Sequence, residues 1–177
     1  MMRYVRLGVT IAALGLAACK RGDTAASADR YAGILTFDSA SIRLVGRDTV
    51  RLNVELAESD AEQAMGLMER RMLAPDAGML FIYSSIQPES SAFWMFRTRI
   101  PLDIAFIDSL GTIRTVQTMA PCDSPLAQGC PDFPAGAPYL AALEVNAGYF
   151  AQHHLGVGDR VLLSDTIPRR LTTHPTP

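Results

Sequence analysis

Apolar and polar residues alternate strictly in the stretch Val50-Arg51-Leu52-Asn53-Val54-Glu55-Leu56. Successive side chains of a β-strand point to opposite faces, so a period of two predicts a strand with one buried face and one wet face. An amphipathic helix would instead repeat its apolar residues three and four positions apart. The stretch therefore predicts a half-buried β-strand.

Short segments of similar character lie on both sides of this stretch, separated by residues that favour turns. The predicted strands cover residues 34–37, 41–45, 50–56, 78–83, 92–96, 102–108, 112–119, 139–145 and 160–163. Ser59 and Glu62 have the spacing of a capping box, which predicts a short helix over residues 60–68. Many short strands with one short helix indicate a mainly β fold, either a β-sandwich or a partly open barrel.

The N-terminal residues have the pattern of a bacterial export signal. Arg3 and Arg6 supply a basic region, and residues 7–16 form an apolar stretch of about ten residues, too short to span a bilayer. The stretch ends in Leu16-Ala17-Ala18-Cys19, which resembles the lipobox that directs a lipid onto the cysteine. We expect residues 1–18 to be removed and Cys19 to anchor the protein to a membrane. The alternative is an ordinary secretory signal with an incidental cysteine.

The charge of the exported chain limits its partners. Since Arg3 and Arg6 are the only charged residues in the signal, the 16 basic and 18 acidic residues of the full chain become 14 and 18. Nucleic acids and anionic headgroups require a basic patch, which this mildly acidic chain lacks. We therefore expect no nucleic-acid partner, and a membrane contact through the lipid alone. Lys20 is not the Asp that retains some lipoproteins at the inner membrane, which favours an outward location in the cell envelope.

The rest of the chain divides by composition. Residues 19–33 are rich in Ala, Ser, Asp and Gly and have the character of a flexible tether. Residues 34–165 have the size of a single domain with one core. Residues 166–177 are rich in Pro and Thr and are predicted to be a disordered tail.

Six segments follow one another in a characteristic order and spacing. They are Gly66-Leu67-Met68-Glu69-Arg70, Gly78-Met79-Leu80-Phe81, Phe93-Trp94-Met95, residues 98–108, Leu143-Glu144-Val145-Asn146-Ala147-Gly148 and Gly156-Val157-Gly158-Asp159. Over residues 51–163 this pattern resembles the domain-of-unknown-function 192 family, also called uncharacterised protein family 0127. The resemblance implies a jelly-roll-like β-sandwich in a bacterial or archaeal protein often found outside the cytoplasm. It implies no activity.

One segment departs from the family pattern. The family usually has Lys-Asn-Thr after Trp-Met, whereas this chain has Phe96-Arg97-Thr98. A site that depends on the usual Asn is therefore not expected here. If the segment binds a ligand, the planar donor fork of Arg97 would favour a carboxylate or a phosphate.

The two remaining cysteines, Cys122 and Cys130, lie close together in a loop rich in Pro and Gly. In an oxidising compartment such a pair is expected to form a disulfide. A metal pair or a redox dithiol is the alternative. The spacing is wider than Cys-x-x-Cys, and no histidine lies nearby.

The chain has none of the motifs that would indicate a resident metal or cofactor. It contains no His-Glu-x-x-His, no Gly-x-Ser-x-Gly and no phosphate-binding glycine loop. His153 and His154 are adjacent and would not easily present both rings to one ion. We therefore predict no metal and no cofactor.

The candidate ligand-binding residues are charged or aromatic side chains beside apolar strands: Arg70, Trp94, Arg97, Asp103 and Glu144. Buried charges need partners, so Arg70 with Glu144, or Arg97 with Asp103, could simply form ion pairs that tie strands together. The functional interpretation is that these residues line a pocket, with Trp94 as a stacking platform for a sugar or another flat ligand. The run around Trp94 is also compatible with a core position.

Two classes of function follow, and whether the protein is an enzyme stays open. The first is an accessory lipoprotein of the cell envelope, facing the periplasm or the exterior, that binds a small ligand, a glycan or a partner protein. The second is an envelope hydrolase or isomerase that uses Asp103 and Glu144 as an acid/base pair, which requires carboxyl groups roughly 5 to 10 Å apart. A purely structural envelope protein, marked by a large exposed apolar patch, is a third interpretation.

Overall fold

The structure is a computed structural model that describes residues 35–163. Its strands are β1 (Asp38–Val45), β2 (Thr49–Ala57), β3 (Ala77–Gln87), β4 (Ala92–Trp94), β5 (Leu102–Ile107), β6 (Ile113–Met119), β7 (Asp132–Pro134), β8 (Tyr139–Asn146) and β9 (Arg160–Leu163). Its helices are α1 (Asp60–Met65) and α2 (Tyr149–Gln152), with a 3-10 turn at Ala127–Gly129. Within the described residues, no helix has the length and apolar character needed to span a membrane.

Seven strands form one sheet in the order β6-β5-β8-β3-β2-β1-β9, and β4 pairs with β7 in a second, two-stranded sheet. The β2–β3 pair is parallel because the α1 segment carries the chain back across the sheet. The outer strands of the large sheet approach each other. The Ile113 amide donates to the Asp159 carbonyl at 2.8 Å, and the Gly158 amide donates to the Ile113 carbonyl at 2.9 Å. The fold is therefore mainly β, as predicted, in the form of a partly open barrel.

Apolar residues cover both faces of the central strands. On the inward face, Ala105 and Val145 pack with Tyr149 of α2. On the outward face, Phe106 and Phe81 are covered by the two-stranded sheet and by the segment after α1. Because β5 and β8 are buried on both sides, they are nearly continuous apolar runs without the alternation seen in β2.

The capping box at α1 is present as predicted. The Ser59 hydroxyl accepts from the Glu62 amide at 3.3 Å, and the Glu62 carboxylate accepts from the Ser59 amide at 2.8 Å. The helix is shorter than the predicted span to residue 68, because Gly66 turns the backbone with a φ of 47°. Its amide still closes the last turn by donating to the Glu62 carbonyl at 2.8 Å.

Several element predictions were incomplete. Residues 35–37 are not a strand, and β1 begins at Asp38. Strand β7 and helix α2 were missed, since segments of three and four residues carry no readable periodicity. With α2, the described residues contain two short helices, whereas one was predicted.

Cys122 and Cys130 form the predicted disulfide, with their Cα atoms 5.8 Å apart. The bond closes the loop between β6 and β7. The predicted lipid-bearing Cys19, the signal over residues 1–18, the tether over residues 19–33 and the tail over residues 166–177 lie outside the described residues.

Candidate functional site

A cleft of about 190 Å³ opens between α1, the Gly66–Met68 segment that follows it, and strands β3 and β4. We call it the α1 cleft. Helix α1 stands at this place because its Gln63 side-chain amide donates to the Ile82 carbonyl of β3 at 2.9 Å. The distinctive side chains that line the α1 cleft are Gln63, Met65, Met68, Phe81, Tyr83, Phe93, Trp94, Thr98 and Glu144.

Glu144 lies at the back of the α1 cleft, in the middle of β8. Its cross-strand neighbours are Met79 on β3 and Ile104 on β5, both apolar and fully buried. Only 4% of Glu144 is exposed. Its carboxyl group makes no ion pair and accepts no hydrogen bond within residues 35–163. An acidic side chain thus occupies a buried, apolar strand position and lines the α1 cleft.

Burial alone raises the pKa of Glu144 to about 8, since a charged carboxylate loses its hydration there without a compensating donor. At neutral pH the side chain is mainly a neutral carboxylic acid in the free protein. Tyr83 sits beside it in the α1 cleft. Burial, together with Tyr139 and the nearby Glu144 charge, raises the pKa of the Tyr83 hydroxyl above its ordinary value.

Trp94 lies on β4 at the mouth of the α1 cleft and is 46% exposed. Its two neighbours in the chain point into the protein: Met95 is fully buried, and Phe93 packs edge-to-face on Phe81 with ring centroids 5.0 Å apart. The core interpretation of Trp94 is therefore wrong, and Phe93 holds the core position. Trp94 is a lining residue of the cleft, and its ring, which is partly exposed to solvent, lies 6.4 Å, centroid to centroid, from the ring of Phe96.

Asp103 does not share the α1 cleft with Glu144. In the β5–β8 register Asp103 lies opposite Val145, whereas Glu144 lies opposite Ile104, so the two carboxyl groups point to opposite faces of the sheet. Asp103 accepts from the Thr118 hydroxyl at 2.6 Å and from the Gly148 amide at 2.9 Å. It ties the loop before α2 to the sheet. The hypothesis of an Asp103–Glu144 acid/base pair lacks its geometry.

The three arginines near the α1 cleft pair with carboxylates other than those predicted. Arg70 donates to Glu55 at 2.5 Å, and Arg97 donates to Glu69 at 2.8 Å. Arg99 also binds the Glu69 carboxylate. The predicted pairs of Arg70 with Glu144 and of Arg97 with Asp103 are not formed, because both acids are buried on the sheet while the arginines lie on exposed loops. Neither Arg70 nor Arg97 lines the cleft.

Glu69 and Arg97 share an unusual backbone conformation beside the α1 cleft. Their φ angles are 61° and 57°, and the Glu69 amide donates to the Arg97 carbonyl at 2.8 Å. Left-handed backbone is uncommon for ordinary residues and is better tolerated by Asn and Gly. The Asn that the family pattern has at this position therefore suits the backbone itself. We therefore relate the change from the family's Asn to Arg97 to the backbone conformation of this loop, and not to ligand binding.

Of the thirteen residues that line the α1 cleft, only Trp94 and Glu144 were predicted as site residues; Gln63, Tyr83 and Gly66 are among those that were not. A Cβ atom at Gly66 would lie 3.3 Å from the Phe81 ring, so this glycine lets the chain cross the mouth of the cleft closely. Its place in the Gly66-Leu67-Met68 motif was the available signal. Gln63 and Tyr83 gave none, because their importance depends on which elements pack together.

The described residues contain no group of three His, Cys, Asp or Glu side chains able to hold a metal ion. His153 instead stacks against Tyr149, with ring centroids 4.4 Å apart. The chemistry that the α1 cleft offers is an aromatic wall, a buried carboxyl group and a few hydroxyl and amide groups.

A family model described as DUF192, Uncharacterized ACR, matches residues 42–163. A solved structure from Sinorhizobium meliloti, provisionally described as that of a transcription regulator, is 36% identical; the match covers 74% of this chain and 98% of that chain, with a TM-score of 0.65. Another, of a Novosphingobium aromaticivorans protein of unknown function, is 32% identical over 73% of this chain and 88% of that chain, with a TM-score of 0.64. The comparison with curated proteins gives no match. The chain therefore belongs to the DUF192 family.

Proposed function

We propose that this protein is a lipid-anchored accessory protein of the bacterial cell envelope that binds a small ligand in the α1 cleft. One observation carries the proposal. An exposed tryptophan, Trp94, and a buried carboxyl group without a partner in the described residues, Glu144, line the same cavity.

The position of Trp94 supports a binding role. A large aromatic ring at the mouth of a concave site offers contact area at a low cost in side-chain entropy. Phe93 and Phe81 form a rigid edge-to-face pair behind it. A ligand that enters would contact a preformed aromatic surface.

The position of Glu144 supports the same role. Burial of a carboxyl group without a hydrogen-bond partner destabilises a protein by about 1 to 3 kcal/mol or more. A buried polar group without a partner is an exception to the rules of stable folding, and such exceptions are expected at functional sites. A ligand with a matching polar group would supply the partner that the Glu144 carboxyl group does not have among the described residues.

The envelope location is supported by two features of the sequence. The Leu16-Ala17-Ala18-Cys19 segment resembles a lipobox, and the Cys122–Cys130 disulfide suits an oxidising compartment. Expression in a bacterium fed an alkyne-labelled fatty acid tests the anchor. We expect label on the wild-type chain and on a Cys122→Ser, Cys130→Ser double variant, and no label on Cys19→Ser. Equal labelling of Cys19→Ser would contradict the proposed anchor.

The Sinorhizobium meliloti protein is provisionally described as a transcription regulator, but two properties of this chain argue against DNA binding. Here the arginines closest in sequence to the lining of the α1 cleft are Arg70, Arg97 and Arg99, and all three pair with carboxylates. The whole chain also carries more acidic than basic residues. Neither property favours the phosphate contacts on which DNA binding depends.

Ligand-observed NMR on the purified full chain with a broad mixture of metabolites and glycans tests the binding role. We expect saturation transfer to at least one compound class, with loss of the signal in Trp94→Ala. Leu110→Ala is the matched control, because Leu110 is an exposed apolar residue outside the cleft lining. Absence of any binding, or equal binding by Trp94→Ala, would overturn the proposed function.

A further inference from the structure

We propose that the ligand of the α1 cleft is a small organic cation, bound with its ammonium group between the Glu144 carboxylate and the aromatic wall of the cleft. This inference rests on the proposed function and assigns the chemical class of its ligand.

The charges around the α1 cleft favour a cation. Glu144 is the one acidic side chain in the lining, and no Lys, Arg or His of the described residues lines the cleft beside it. The arginines closest in sequence to the lining, Arg97 and Arg99, both pair with Glu69. Arg70, the next closest, pairs with Glu55. An anionic ligand would find a carboxyl group and no positive partner. A cationic ligand would supply the positively charged partner that Glu144 does not have in the lining.

The aromatic residues favour the same ligand. Phe81, Tyr83, Phe93 and Trp94 all line the α1 cleft. The face of an aromatic ring carries partial negative charge and attracts an ammonium group, most strongly at tryptophan. A carboxyl group that shares a cleft with four aromatic side chains is thus complementary to a quaternary or primary ammonium ion.

The size of the α1 cleft limits the ligand. Its volume of about 190 Å³ is below the roughly 300 to 1,000 Å³ of sites that hold drug-sized molecules. An oligosaccharide would extend far beyond it. A cation with a few carbon atoms fits within it.

Binding of a cation requires Glu144 to be ionised, so affinity should follow pH. The groups that face Glu144 are Met79 and Tyr83 from β3, Ile104 from β5 and the uncharged side chains of α1 and β4 that line the cleft. Tyr83, whose pKa is raised, does not titrate in the neutral range. Glu144 is therefore the titrating group that would control affinity, and burial raises its pKa to about 8.

Isothermal titration calorimetry of the full chain tests the inference. The probes are tetramethylammonium, choline and butylammonium, with 3,3-dimethylbutan-1-ol as the neutral isostere of choline. We expect at least one cation to bind, with an affinity that rises on the order of a hundredfold between about pH 6 and pH 9. We also expect binding near pH 7 to release about one proton, seen as a dependence on the ionisation enthalpy of the buffer.

Two variants separate the role of Glu144 from an effect on folding. Glu144→Gln keeps the shape and the neutral state that dominates at pH 7, and should fold. It should lose the pH dependence, the proton release and the preference for choline over 3,3-dimethylbutan-1-ol. Asp103→Asn changes the other buried carboxyl group, on the opposite face of the sheet, and should keep all three.

The outcomes distinguish this inference from the proposed function. Failure of all three cations to bind, equal binding of choline and its neutral isostere, or unchanged choline binding by Glu144→Gln would overturn the assignment of a cation. The proposed function would still stand if the metabolite mixture yields a ligand that depends on Trp94. It would fall with the inference if that mixture yields none.

Discussion

Glu144 occupies a strand position whose neighbours, Met79 and Ile104, are fully buried apolar side chains. Its carboxyl group has no donor among the described residues, so its protonation state is set by burial. The pKa of about 8 in the folded state lies well above its ordinary value of 4.5. Folding and the protonation of Glu144 are therefore coupled.

This coupling predicts the sign of a pH effect on stability. Between about pH 4.5 and pH 8 the folded chain keeps a proton on Glu144 that the unfolded chain has lost, so stability from this group is full below 4.5 and falls as pH rises through 8. We expect the free energy of unfolding of the wild type, relative to Glu144→Gln, to fall by a few kcal/mol across this window and then level off. Urea unfolding at a series of pH values measures it. A constant difference between the two proteins would contradict the assigned pKa.

Arg97 provides a second test at the scale of one residue. Its φ of 57° predicts that Arg97→Gly is more stable than Arg97→Val by about 1 to 2 kcal/mol, because valine suits left-handed backbone poorly. Arg114 is the matched control, since it also forms an ion pair, with Asp108, but lies in the strand β6. There we expect the valine variant to be the more stable by up to about 1 kcal/mol. If Arg97→Val proved as stable as Arg97→Gly, or more stable, the backbone at Arg97 would be unstrained.

Trp94 and Glu144, which the sequence singled out as candidate site residues, both line the α1 cleft, but the separation of Asp103 from them was missed. Along a half-buried strand, alternation tells which residues share a face. Strands β5 and β8 are buried on both faces, so their patterns give no such information. Only the register, with Glu144 opposite Ile104, places the two carboxyl groups on different sides.

Strand β3 has no room for a side chain at Gly78, which lies beside the backbone of Glu144 on β8. A Cβ atom on Gly78 would lie 2.6 Å from the Glu144 carbonyl oxygen, which is backbone and cannot move aside freely. We expect Gly78→Ala to destabilise the fold by about 1 to 3 kcal/mol and to weaken ligand binding. Thermal unfolding and the NMR binding assay measure the two effects.

Gly156→Ala is the control for this substitution. A Cβ atom on Gly156 would meet no other atom within 4 Å, and its φ is not in the left-handed region. Its stability should stay within about 0.5 kcal/mol of the wild type. Equal stability of Gly78→Ala and Gly156→Ala would mean that the β3–β8 contact adapts without cost.

At the scale of elements, local signals were sufficient where one segment carries its own pattern. Strand β2 and the capping box at Ser59 are of this kind. Strand β7 is not, because its three residues form a strand only by pairing with β4. The pairing of β4 with β7, which covers the outward face of the large sheet, therefore could not be predicted from the local sequence.

At the scale of the whole molecule, the Cys122–Cys130 disulfide fixes the loop that leads from β6 to β7 and so to the cover over the outward core. The bond closes a short loop, with a sequence separation of 8. We expect Cys122→Ser, Cys130→Ser to destabilise the chain by roughly 2 to 3 kcal/mol. Denaturant unfolding of the oxidised wild type and the variant measures it, and equal midpoints would contradict a stabilising role.

The mainly β class could be predicted from many short strands and a single strong alternation, whereas the strand order could not. The order joins β1 to β9 and β3 to β8, which are pairs far apart in the chain. Such pairing depends on how apolar faces match in three dimensions, which no local pattern records. The α1 cleft depends on the same long-range arrangement.

Fluorescence of Trp94 offers the most direct measurement of ligand binding, because it is the single tryptophan of the chain and lies at the mouth of the α1 cleft. The full chain would be titrated with the mixture of metabolites and glycans used for NMR, with the separate compounds of that mixture, and with tetramethylammonium, choline and butylammonium. We predict a saturable change in emission for at least one compound class, weakened in Glu144→Gln and kept in Leu110→Ala. An emission spectrum that no compound alters, or a response equal in wild type and Glu144→Gln, would contradict a binding site built on Trp94 and Glu144.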